Sequence, residues 1–180
     1  MSGARENHGL DTVVRVCFYE QDFYVLSNFS SFQVQNYAGN FATSEHLYHW
    51  HRFQMDDCSE ACEAVPTWRR VVARELAALV KDAPSAHEAF RIAQESKTFQ
   101  RPDWDDVKVE TMRRILRKKA SQHEYVLRKL LATGDRELVE NSWRDDFWGW
   151  GPNRDGSNML GKLWMEIREE IRADQAANRK

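Results

Sequence analysis

From Thr43 onward the apolar residues of this chain recur mainly at helical spacing, and the breaks between runs fall at Pro66, Pro84, Pro102 and across residues 141–158. That pattern dictates a set of separate helices rather than a sheet. Pro66 sits where a first helical turn tolerates proline, and Trp68, Val72, Leu76 and Leu79 behind it form a stripe predicted to face the core. Pro84 opens a helix running to about Glu95, and Ser96 to Arg101 reads as a loop. Pro102-Asp103 introduces an amphipathic segment with Trp104, Val107, Met112, Ile115 and Leu116 on one face. Arg113, Arg114, Arg117, Lys118 and Lys119 crowd its last turns, where cations suit the negative end of the helix dipole, and read as a solvated face. A further helix spans Glu124 to Leu131. The last one carries Leu160, Leu163, Trp164, Ile167 and Ile171 at i, i+3, i+4, i+7 and i+11, with fraying expected beyond Ala173.

The β signal is confined to the first quarter. Val13 to Tyr19 is β-branched and aromatic, and the segments Phe32 to Gln35 and Asn40 to Ala42 flank Tyr37-Ala38-Gly39 as a small hairpin. A short strand near Leu138 to Glu140 is the one later addition. The fold class is therefore α+β, a predominantly helical single domain over residues 13–173, with 1–12 and 174–180 expected to be flexible termini. A chain of 180 residues is long enough to bury a core without disulfides or metal.

Charge excludes one class of function. With 26 basic against 28 acidic residues, an extended polyanion-binding surface is disfavoured, while a local basic patch and a compact anionic substrate are not. Cys17, Cys58 and Cys62 are odd in number and contain no C-x-x-C pair, so neither a disulfide framework nor a zinc ribbon is indicated and the cytoplasm is the expected location. No stretch approaches the roughly 18 consecutive apolar residues of a membrane span, so a soluble, unprocessed protein without a membrane partner is expected.

Chemistry concentrates between Thr43 and Phe53. Thr43 or Ser44 is a plausible N-cap, Glu45 stands in the first turn, and His46, Tyr48, His49, Trp50, His51 and Arg52 follow. That mixture is too polar for an ordinary core helix and too aromatic for a surface one. A zincin helix needs histidines four apart with Glu beside the first, whereas here His46 and His49 are three apart and Glu45 precedes them, so no metal is expected. What remains is a pair of carboxylates, each with a bland alternative. The dipole alone favours Glu45 in a first turn, and Asp146 could be a loop carboxylate capping backbone N–H groups. Trp104 could be the first core residue of its helix. The chemistry that would use all three is N-glycoside hydrolysis: a carboxylate stabilises the oxocarbenium-like charge at ribose C1 or directs water to it, and an aromatic stacks on the leaving base. The long stretch from Asn141 to Asn158 reads as a functional loop. Gly156-Ser157-Asn158 at the head of the last helix offers a phosphate cradle of free N–H groups.

The order of motifs resembles the YbiA-like, or NADAR (NAD and ADP-ribose related), family of N-glycosidases. The matching pieces are Phe18-Tyr19, Leu26-Ser27-Asn28-Phe29, Thr43 through Tyr48, Asp103-Trp104 with Val107-Lys108 and Met112, Leu131 through Asp135 with Leu138-Val139-Glu140, Asp146-Phe147-Trp148-Gly149, and Gly156 through Gly161 with Met165 and Arg168. The resemblance implies hydrolysis of a ribosyl N-glycosidic bond with no cofactor. Family members act on early riboflavin-pathway intermediates, and others release ADP-ribose from modified guanine in nucleic acid, opposing DarT-type toxins. On the matching motifs, Glu45 is the implied principal catalytic carboxylate and Asp146 its partner. Trp104 and Trp148 are the implied pocket aromatics, Asn28 and Asn158 the implied contacts to ribose or phosphate, and Phe29, Tyr48, Arg52, Gly149 and Ser157 complete the binding set.

Departures from the family pattern shape the expectation. His51-Arg52-Phe53 stands where relatives read Gln-Lys-Phe; a lysine can attack C1 and form a Schiff base, whereas an always-charged guanidinium serves only to bind or stabilise. Ala93-Gln94 replaces a Gly-Arg pair, a loss for which Lys97 or Arg101 could compensate. Lys119-Ala120 replaces Lys-Phe. The substrate is expected to be a nucleotide-like small molecule or ADP-ribosylated nucleic acid: first the release of ADP-ribose from guanine, second the hydrolysis of ribosylamino-pyrimidine phosphates. A non-catalytic ADP-ribose-binding module is the reading of a different class.

Overall fold

The computed structural model describes residues 10–19, 21–56, 58 and 60–178. The chain is a predominantly helical α+β protein that divides into two compact units. One is Asn28–His123; the other joins the chain up to Ser27 with the part from Glu124 onward.

The Asn28–His123 unit opens on a hairpin of β2 (Val34–Asn36) and β3 (Gly39–Phe41), antiparallel with Val34 opposite Phe41. Gly39 takes φ 106°, which the tight turn requires. Helix α1 (Ser44–Arg52) follows directly. Extended Thr43 caps it, its hydroxyl accepting from the His46 N–H at 3.3 Å, as the sequence leads one to expect. Helices α2 (Thr67–Lys81), α3 (Ala86–Glu95) and α4 (Trp104–Gln122) all pack on α1. As a result every residue of α1 except His51 is buried. A helix this polar is buried because its neighbours present small faces: Ala73, Ala77 and Val80 from α2, and Ala86, Ala89 and Ala93 from α3.

That packing corrects the expected stripe on α2. Trp68 and Leu79 are 61% and 57% exposed, and Val72 and Leu76 are only half-buried. Hydrophobicity pointed to the large side chains, but the bulky α1 residues leave room for alanines instead. On α4, Trp104, Met112, Ile115 and Leu116 are buried and Val107 half-buried, in line with the amphipathic pattern. Its basic run is not one solvated face, however. Arg114, Arg117 and Lys118 are exposed, whereas Lys119 is 0% exposed, its Nζ donating to Ser30 Oγ at 2.7 Å and standing 5.6 Å from the Phe32 ring.

Cys58 and Cys62 are joined by a disulfide with their Cα atoms 5.8 Å apart, which corrects the expectation drawn from cysteine count. An odd total leaves one thiol over without preventing a local pair, and a separation of four residues in a turn brings the two Cα atoms within bridging range. Cys17 is the buried free thiol.

In the second unit, β1 (Arg15–Cys17) pairs in parallel with β4 (Glu137–Val139), so the late strand expected near Leu138 exists and closes on the first. Helix α5 (Glu124–Ala132) packs on the 3-10 segment Gln21–Leu26, and α6 (Met159–Ala177) packs on β4. Trp164 Nε1 donates to the Leu26 carbonyl at 2.8 Å. Arg168, buried, donates to Thr133 Oγ1 at 2.8 Å and to the Arg136 carbonyl at 2.9 Å. Helix α6 runs on to Ala177, beyond the expected fraying point at Ala173. The expectation of flexible ends at 1–9 and 179–180 lies outside the described residues. No helix among the described residues is long and apolar enough to cross a membrane.

Candidate active site

Glu45 is 6% exposed and sits in the first turn of α1. Its N–H donates to the Asn28 carbonyl at 3.1 Å, which ties the Asn28-Phe29 segment to the head of the helix. Its Oε1 lies 2.8 Å from His49 Nε2, one helical turn on, and Oε2 has no hydrogen bond among the described residues. Two further buried polar groups next to it in the chain or joined to it by that backbone bond are also unpartnered. Asn28 Oδ1 and Ser44 Oγ have no hydrogen bond among the described residues. Buried polar atoms are nearly always satisfied, and each orphan costs about 1–3 kcal/mol. Two of them beside a buried carboxylate mark a place built for a polar ligand.

Aromatic and cationic groups complete this side. Tyr48 packs on Trp104 with ring centroids 4.9 Å apart, and Trp104 is itself buried. Phe29 is half-buried. Arg52, 5% exposed, donates through Nε to Gln100 Oε1 at 2.8 Å, while its terminal nitrogens have no partner among the described residues. Burial lowers its pKa from the ordinary arginine value, and Tyr48, Asp105 and Glu45 pull the other way. A guanidinium with an anchored Nε and open Nη groups is suited to an oxyanion or a phosphate. Arg101 cannot supply the missing phosphate contact, because it is buried in a pair with Asp103 at 2.5 Å.

The remaining expected residues belong to the other unit. Among residues 141–158 it is Asp145, not Asp146, that caps: its Oδ1 accepts from the Phe147 and Trp148 N–H groups at 2.9 and 2.8 Å. Asp146 is exposed and its carboxylate makes no hydrogen bond among the described residues. Trp148 is half-buried, edge-on to Phe147 at 5.0 Å, and Gly149 is buried. The loop is tightly ordered by its own backbone. The N–H groups of Gly156, Ser157, Asn158, Met159 and Leu160 donate to the carbonyls of Trp150, Asp146, Gly149, Phe147 and Trp148. The phosphate cradle expected there is thereby corrected, since those N–H groups are already satisfied. Asn158, in the left-handed region with φ 48°, turns its amide inward: Oδ1 accepts from Glu140 N–H at 3.0 Å and Nδ2 donates to the Leu138 carbonyl at 2.9 Å. Ser157 remains exposed. A cleft of about 280 Å³ in this unit is lined by Arg15, Glu137, Trp150, Arg154 and Asn158, among others.

Histidine ligation of a metal finds no support in the geometry. His46 is occupied on both ring nitrogens, by Thr43 Oγ1 at 2.8 Å and the Ala83 carbonyl at 3.1 Å, and His49 faces Glu45. The one group of possible ligands among the described residues is Cys58, Cys62 and Asp103, and there the two sulfurs are bonded to each other. Sequence reasoning weighed His49 only as a metal ligand; its i, i+4 spacing from Glu45 was the available signal for what it does contact. Gln100, the partner of Arg52, carried no such signal.

A model of the NADAR domain matches residues 17–172. The chain is 37% identical over 158 residues to a riboflavin biosynthesis protein of Vibrio vulnificus, covering 87% of this chain but only 38% of that longer protein. It is 36% identical over 159 residues to an N-glycosidase of Nostoc punctiforme, covering 87% of this chain and 92% of that one. The N-glycosidase YbiA of Escherichia coli is 30% identical over 161 residues, 89% of each chain. The solution NMR structure of E. coli YbiA superposes with a TM-score of 0.72 at 28% identity, covering 91% of this chain and 88% of that one.

Proposed function

The chain belongs to the NADAR domain family, and from that premise we propose that it hydrolyses a ribosyl N-glycosidic bond with Glu45 as the principal carboxylate. The enzyme class, a hydrolase of N-glycosyl bonds, follows from the family together with relatives named N-glycosidase that align over nearly their whole length. The observation that carries the role of Glu45 is its geometry: buried, with Oε1 held by His49 and Oε2 left open, in a segment where Asn28 Oδ1 and Ser44 Oγ are buried without a partner among the described residues.

In the reaction, Oε2 accepts a proton from water as the water oxygen bonds to ribose C1. The C1–N bond breaks with its electron pair going to the base nitrogen, and the base then takes up a proton from solvent. The carboxylate stabilises the oxocarbenium-like charge that develops on the way. Arg52 has no free amine, so this chain works by direct water attack, and its guanidinium holds a phosphate or ribose oxygen. Trp104, packed on Tyr48 of the same helix as Glu45, holds the base.

The substrate we favour is an ADP-ribosylated guanine in nucleic acid. In its support, α4 presents exposed Arg114, Arg117 and Lys118, a cationic row of the kind that tracks a phosphate backbone. The second reading, a ribosylamino-pyrimidine phosphate, is favoured by the relative named as a riboflavin biosynthesis protein. Incubating the protein with each substrate and following free base by chromatography distinguishes the two. Glu45→Gln is expected to abolish release while ADP-ribose binding by calorimetry persists; undiminished turnover in that variant defeats the assignment. Binding without turnover of either substrate by the unaltered protein would make it a binding module instead. Borohydride treatment during turnover is expected to trap no covalent adduct.

A further inference from the structure

We propose that His49 is the positioning residue of Glu45: its Nε2–H holds Oε1, so that Oε2 alone is presented to the reacting atoms. The proposal rests on the reading of Glu45 given above. Three features of the imidazole support it. Nε2 and Oε1 are 2.8 Å apart and both side chains are buried, so the hydrogen bond is shielded from water. The ring is held in place by its neighbours, edge-on to Tyr48 at 5.1 Å and to Phe90 of α3 at 5.8 Å. The third feature is Nδ1, which is buried and has no partner among the described residues.

That unpartnered nitrogen decides the tautomer. A proton on Nδ1 would be a buried donor without an acceptor, the rarer and costlier kind of orphan, whereas a bare lone pair is tolerated more readily. The geometry therefore places the bonding proton on Nε2, where it donates to Glu45 Oε1, and leaves the lone pair on Nδ1. Arg52 of the same helix, near its end, and His46, whose ring nitrogens are bonded elsewhere, also interact electrostatically with Glu45. Neither hydrogen-bonds the carboxylate. Among the described residues His49 is thus the one side chain that hydrogen-bonds the carboxylate and fixes its rotamer, and a carboxylate fixed before substrate arrives needs no reorganisation during reaction.

The test compares His49→Phe, which keeps bulk and loses the donor, with His49→Gln, which keeps an N–H within reach of Oε1. Against whichever N-riboside the protein turns over, His49→Phe is expected to lower kcat by about 10- to 100-fold with KM little changed. His49→Gln should restore kcat to within a few-fold. Unaltered kcat in His49→Phe, or an equal loss in both variants at unchanged thermal stability, overturns the proposal. A second arm needs no turnover: in 15N-labelled protein the imidazole of His49 should be protonated at Nε2 only, with a slowly exchanging proton that is lost in Glu45→Ala. A proton on Nδ1 instead overturns the proposal even if His49→Phe fails to fold. If the protein hydrolyses no N-riboside, the functional reading falls, and the NMR arm still decides the pairing of His49 with Glu45.

Discussion

At the scale of single residues, two buried ionisable groups behave in opposite ways. Glu45 keeps one oxygen open, and Asn28 Oδ1 and Ser44 Oγ nearby in the chain are buried without a partner among the described residues, at a cost in stability that a ligand would offset. Cys17 is buried with no such opening, its Sγ 3.6 Å from the Leu10 carbonyl. Burial, helped by Asp11, pushes its thiol up to about 11. The thiolate is the reactive form, so Cys17 should not react with Ellman's reagent at pH 8 in the folded protein and should do so at once in denaturant. Cys58 and Cys62 should add to the thiol count only after reduction. A fast-reacting thiol in the native, unreduced protein would contradict this account.

At the scale of elements, the contact between α6 and β4 depends on Gly161. A Cβ there would lie 2.0 Å from the Leu138 carbonyl oxygen and within 2.7 Å of both polar atoms of the Asn158 amide. In an open helix, Gly→Ala would stabilise by about 1 kcal/mol. Here the clash with backbone wins, and Gly161→Ala is expected to destabilise by about 1–3 kcal/mol in urea unfolding. A gain in stability would mean that helix and strand are not in close contact. The same glycine shows what periodicity can and cannot deliver. The α6 stripe is legible from Leu160 to Ile167 because its residues are large and apolar, whereas periodicity does not reveal the α2 face because Ala73 and Ala77 are among its buried residues. Small residues chosen for close approach carry no hydrophobic signal.

At the scale of the whole molecule, stability should depend on pH through a buried imidazole. His46 is held below its ordinary value of about 6.5, chiefly by desolvation, although the Ala83 carbonyl and Glu45 pull upward. Below about pH 6.5 the unfolded chain binds a proton that the folded chain resists, so this contribution is full above that pH and declines as pH falls toward the folded value. Urea unfolding between pH 7.5 and 5.5 should show falling stability, with a shallower slope in His46→Asn. An equal slope in the variant would assign the effect to other groups. The overall α+β class, the hairpin, the Thr43 cap and the late strand could all be read from the sequence, since each depends on neighbouring residues. The parallel pairing of β1 with β4, the Cys58–Cys62 bridge and the burial of Lys119 could not, because each depends on which distant or turn-related groups meet. The residues of the Glu45 environment were legible as a motif; that Asn28 and Ser44 lack partners was not.

The loop before α6 has a mechanical consequence. Its carbonyls at Phe147 and Trp148 receive the N–H groups of Met159 and Leu160, while Asn158 clasps the strand at Leu138 and Glu140. Asp146 and Trp148 are thus mounted on a frame that cannot swing without unwinding the first turn of α6 and loosening a β-strand. Where many enzymes carry loop residues on a movable arm, this chain carries these two on a fixed bracket.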